Sequence, residues 1–100
     1  MRADRYLWGP PSPHVARAPV PTLLRAGPYR LFMFMSDCAE PHHVHVEGND
    51  GLAKFWLRPV SLAENVGYSP RELHRIRRVV ESDRAVLIQA IDTVCERARR

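Results

Sequence analysis

The chain has 100 residues, 45% of them hydrophobic, which is one-domain length with an ordinary globular composition. Its longest apolar runs, 31–35 and 85–88, fall far short of the roughly 20 residues a membrane span needs, and no apolar segment with a cleavage site follows the N-terminal arginines. The expectation is a cytoplasmic protein with no membrane partner; its net charge of +4 permits an RNA, DNA or acidic-protein partner without demanding one.

Residues 1–19 hold four prolines, three arginines and one aspartate, with only Tyr6, Leu7 and Trp8 as apolar anchors. Such a segment cannot bury enough surface to offset its ordering entropy, so it reads as a disordered N-terminal extension. Order is expected from Val20, and 20–100 reads as one α+β domain.

Residues 29–35 (YRLFMFM) read as a buried strand and 36–41 as a polar loop. Residues 43–47 (HVHVE) alternate strictly, the pattern of a half-buried strand. Gly48-Asn49-Asp50-Gly51 is a hairpin turn, and 53–58 (AKFWLR) is the returning strand, ended by Pro59. Ser69-Pro70-Arg71-Glu72 starts a helix: serine caps it, proline suits its first turn, and the glutamate three residues on completes a capping box. Leu73, Ile76 and Val80 form its apolar stripe, with Arg71, His74, Arg75 and Arg78 on the far side. Ser82-Asp83 breaks the pattern, and a second helix with a broader stripe (Leu87, Ile88, Ala90, Ile91, Val94, Cys95, Ala98) runs to about Arg97. The predicted fold is an antiparallel sheet of about three strands followed by two helices packed on one face. Cys38 and Cys95 show no CxxC spacing and read as reduced thiols, Cys95 as a core residue.

The pleat places Val44 and Val46 in the core and turns His43, His45 and Glu47 outward. Across the hairpin, Lys54, Trp56 and Arg58 join that outward face. Three readings of it stand side by side. Imidazoles that exchange protons near neutral pH, a lysine that stabilises an anionic transition state and a tryptophan that stacks a base would equip a metal-independent ribonuclease. In that reading His43, His45 and Lys54 are catalytic, while Trp56, Arg58, Arg71 and Arg75 hold substrate. The second reading is a metal site, His43 and His45 sharing an ion with Glu47 or His42; third and fourth ligands are not evident, so no metal or cofactor is assigned. The third is a polar sheet face that packs on a partner. The stripe Arg71, Arg75, Arg78 equally suits phosphates or a solvated helix face.

From Pro21 to about Ile91 the sequence resembles a small bacterial family known only as a domain of unknown function, DUF4160. The residues carrying the likeness are Pro21-Thr22-Leu23-Leu24-Arg25, Gly27-Pro28-Tyr29-Arg30, 40–46 (EPHHVHV), 53–57 (AKFWL), 62–65 (LAEN) and 67–73 (GYSPREL). His42 stands where the family often has a second proline, which leaves His43 and His45 as the better candidates. Members typically begin Met-Pro-Thr, so the resemblance places the start of the folded unit at Val20-Pro21-Thr22. It also implies a toxin–antitoxin-like gene pair, hence a small antitoxin-like partner from the neighbouring gene, with RNA as a further partner and a homodimer as a possible state. The expected function is a toxin-like ribonuclease or RNA-binding module. The alternative is a non-enzymatic domain that docks a partner on the sheet face around Trp56.

Overall fold

Two-residue turns set the architecture. The computed structural model describes residues 20–99. Five strands follow one another in chain order: β1 (Thr22–Ala26), β2 (Tyr29–Phe32), β3 (His43–Gly48), β4 (Gly51–Leu57) and β5 (Val60–Val66). Each pairs antiparallel with the next, forming one meander in the order β1-β2-β3-β4-β5. Gly27-Pro28, Asn49-Asp50 and Arg58-Pro59 make the tight connections. At Asn49 and Asp50 φ is 50° and 65°, the left-handed pair that a hairpin turn of the right twist requires and that these two residue types tolerate. The β2–β3 connection is longer and contains a short 3-10 helix (Met35–Ala39). Two helices complete the domain, α1 (Pro70–Ser82) and α2 (Arg84–Ala98).

The α+β class, an antiparallel sheet followed by two helices, matches the sequence reading, but the sheet has five strands instead of three. The two unforeseen strands are the edges. Their sequences, TLLRA and VSLAENV, hold three leucines and two alanines and show no clean period of two. An edge strand is paired on one side only and half exposed, so its pattern is weakly constrained. Pro59 ends β4 as expected, yet it does so inside a turn that delivers the chain into β5. The segment 1–19, expected to be disordered, lies outside the described residues.

One face of the sheet is covered by the helices. Leu31, Met33, Val44, Val46, Phe55 and Leu57 meet Ile76 and Val80 of α1 and Leu87, Ile88, Ile91 and Cys95 of α2 in one core. The break between the helices falls at Asp83, as the sequence predicts. No helix among the described residues is long and apolar enough to cross a membrane.

The start of α1 departs from the expected capping box in an informative way. Ser69 does cap the helix, its hydroxyl accepting from the Glu72 amide at 3.1 Å. The Glu72 carboxylate instead turns to the sheet, accepting from the Tyr29 hydroxyl (2.7 Å) and the Asn49 side-chain amide (2.9 Å). Those donors hold its carboxyl below the usual range. Tyr68 fixes the same corner: its hydroxyl lies 2.8 Å from the Gly48 carbonyl and 3.0 Å from that of Gly51. Burial, reinforced by the nearby charge of Glu72, pushes the phenol up to about 12.

The cysteines correct the sequence reading. Cys95 is buried in the core as expected, but it is joined to Cys38 in a disulfide across 57 residues of chain. Local spacing cannot reveal a pairing made by the 3-10 helix folding back against α2.

Candidate functional site

The other face of the sheet is not covered by α1 or α2. Its central side chains come from alternate positions of β2, β3 and β4: Arg30 and Phe32, His43, His45 and Glu47, and Lys54 and Trp56. The register sets His43 opposite Trp56 and His45 opposite Lys54, with Phe32 on the other flank of His45. The rings form a continuous series. His45 stacks on Phe32 at 5.4 Å and meets Phe34 edge-on at 4.8 Å. His43 lies edge-on between His45 (5.0 Å) and Trp56 (5.5 Å). Lys54 sits over the Trp56 ring at 4.7 Å, and Arg30 over Phe32 at 4.6 Å.

The histidines do point away from the valine core, but His43 is not a surface residue: it is only 2% exposed. Trp56 and the 3-10 helix close over it. That helix brings Asp37, which sequence reasoning placed in a plain polar loop. The Asp37 carboxylate accepts from the Phe34 amide at 2.8 Å, and this bond aims it at the sheet. Its two oxygens then approach both rings, Oδ1 at 3.2 Å from His43 Nε2 and Oδ2 at 3.1 Å from His45 Nε2. His43 Nδ1 donates to the Pro41 carbonyl at 3.0 Å. Its buried Nε2 has no hydrogen-bond partner, although Asp37 Oδ1 is near it in distance. Burial lowers the pKa of His45, outweighing the pull of Asp37, so its ring is neutral near pH 7.

The remaining candidates are dispersed or neutralised. Lys54 is paired with Glu40 at 3.5 Å, and Arg30 with Glu47 at 3.0 Å. His42 leaves the cluster to pair with Asp92 of α2 at 2.7 Å. Arg58 is exposed in the β4–β5 turn. Arg71 and Arg75 are exposed on α1, in the layer that covers the opposite face. The structure therefore gathers His43, His45, Lys54 and Trp56 and leaves Arg58, Arg71 and Arg75 outside. The one signal for Asp37 in the sequence is an acid shortly before a histidine pair, too common to single out.

Beside His45 the face opens into a cleft of about 140 Å³, lined by Phe32, Phe34, Leu52, Glu64 and Val66. Phe34 (42%), Leu52 (48%) and Val66 (66%) are exposed at its rim. A larger, shallower depression of about 650 Å³ lies at the hairpin end, between Arg25, Arg30, Glu47 and Asp50. Its charges are mixed and the histidines do not reach it.

No curated protein and no solved structure matches this chain. Residues 29–90 match the family model described as "Domain of unknown function (DUF4160)". That match covers strands β2–β5, the histidine strand among them, together with α1 and the first half of α2, and the chain belongs to this family.

Proposed function

We propose that the chain is a partner-binding module that docks a small protein on the sheet face opposite α1 and α2. One observation carries this reading: Phe34, Leu52 and Val66 stand exposed around the cleft beside His45, while the cations Arg30 and Lys54 on the same face are already matched by carboxylates. An exposed apolar rim around a small cleft suits an apolar side chain of a protein partner. The two-gene arrangement implied by the family resemblance supplies the partner class, a small antitoxin-like protein encoded alongside. The test is complex formation between the two purified proteins. Leu52→Glu and Val66→Glu, both at exposed positions, should abolish the complex and leave the melting temperature unchanged. A complex that survives both substitutions, or no complex with the wild-type chain, refutes the reading.

A second reading retains a toxin-like action on RNA, and the His45–Asp37 pair favours it: a neutral imidazole held by a carboxylate beside an open cleft can accept a proton. Burial of His43 and neutralisation of Lys54 give a two-histidine, metal-independent mechanism less support. Growth inhibition lost in a folded His45→Ala protein would favour this second reading; unaltered toxicity would discard it.

A further inference from the structure

We infer that Asp37, His43 and His45 form a binding site for a late first-row divalent metal ion, zinc being the representative. The inference is independent of which partner the sheet face takes. It begins with the proton on His43. A carbonyl can only accept, so the 3.0 Å contact with Pro41 places a proton on Nδ1, and in the neutral ring the lone pair is then on Nε2. That lone pair lies in the interior, without a hydrogen-bond partner, and faces a carboxylate oxygen 3.2 Å away. Such a lone pair facing a carboxylate oxygen in a buried place calls for a cation between them, and a metal ion can fill that place.

The spacing fits such a cation. One ligand atom from each of the three residues falls within 4.8 Å of the others. The shortest nitrogen–oxygen separations, 3.2 Å from His43 to Oδ1 and 3.1 Å from His45 to Oδ2, run to the two oxygens of the one carboxylate. Donors about 2.0–2.1 Å from a zinc ion stand roughly 3.3 Å apart in a tetrahedron. The surroundings fit as well. A metal-bound histidine characteristically donates its other N–H to a carbonyl or carboxylate, which fixes tautomer and ring orientation; Pro41 does this for His43. The Phe34 amide orients Asp37 in the same manner. Two imidazoles and one carboxylate are the donor set of open zinc and iron(II) sites, with positions left for water or a ligand. Neither Glu47 nor His42, the companions suggested by the sequence, takes part, since each is paired elsewhere.

The experiment is calorimetric titration of chelator-stripped, full-length protein with zinc, paired with a cobalt(II) titration followed by visible absorption. One ion should bind per chain, raise the melting temperature, and give cobalt d–d bands. His43→Ala removes a buried ring and can fail to fold, so the deciding variants are Asp37→Asn and His45→Ala. Each should weaken zinc binding by roughly tenfold or more, since loss of even an outer-shell partner costs about that much, and His42→Ala should bind as wild type. Zinc affinity unchanged by Asp37→Asn and His45→Ala would overturn the assignment. So would a chain that binds no metal and is destabilised by Asp37→Asn, for then Asp37 and His43 form a proton-sharing pair.

Discussion

Removing a single oxygen, in Tyr68→Phe, tests how the hairpin end is held. The ring is buried, the residue being 5% exposed, and phenylalanine fills the same space, so packing is preserved and the hydrogen bonds alone are lost. The Gly48 and Gly51 carbonyls, 2.8 and 3.0 Å from the hydroxyl, lose a shared donor. Stranded buried acceptors cost about 1–3 kcal/mol; both glycines are partly open to water, which places the expected loss in the lower half of that range. For a domain of this size each kcal/mol lowers Tm by roughly 4–8 °C, so thermal unfolding followed by circular dichroism resolves it. The alkaline limb gives a second readout. The Tyr68 phenol is raised from 10.0 to about 12, so between those values the folded chain holds a proton that the unfolded chain has released. Its contribution to stability is complete below pH 10 and is lost as pH rises towards 12. Tyr68→Phe should flatten that decline, leaving the smaller part owed to Tyr29, whose pKa is also raised by burial. Unchanged Tm together with an unchanged alkaline slope would refute the role given to this hydroxyl.

Three further outcomes are expected. Phe55, 1% exposed at the centre of the core, should cost about 3–5 kcal/mol on replacement by alanine, measured by urea unfolding. Reducing the Cys38–Cys95 bridge, which closes a loop over a separation of 57 residues, should cost roughly 4 kcal/mol on the loop-entropy account, read as a lower urea midpoint with reductant than without. Gly51→Ala should destabilise although the backbone there is ordinary, because its new methyl would stand 2.5 Å from the Tyr68 ring; Tyr68→Ala in the same chain should recover part of that particular loss in a double-mutant cycle.

The central hairpin was legible because strict alternation in HVHVE and the Gly48–Gly51 turn each specify one register. The cap at Ser69 and the break at Asp83 were legible for similarly local reasons. The sheet edges were not, since β1 and β5 take their conformation from pairing with a neighbour and not from their own pattern. Site chemistry divides the same way. His43, His45, Lys54 and Trp56 share a face because period two requires it. Asp37 joins them only because the 3-10 helix folds back over the sheet, and the partner that holds this helix, Cys95, is on α2. The same fold-back buries His43, so facing away from the core did not amount to facing water.

The meander also governs the order in which the domain can assemble. Every strand pair joins consecutive segments, so the sheet closes through short loops and needs no distant segment to be found first. Both helices are synthesised after β5. During translation the sheet can therefore exist with Leu31, Val44, Val46 and Phe55 bare on one side while the cleft face is bare on the other. Such a two-sided sheet is prone to self-association, and its protection in the cell depends on how quickly residues 70–98 emerge and settle onto it.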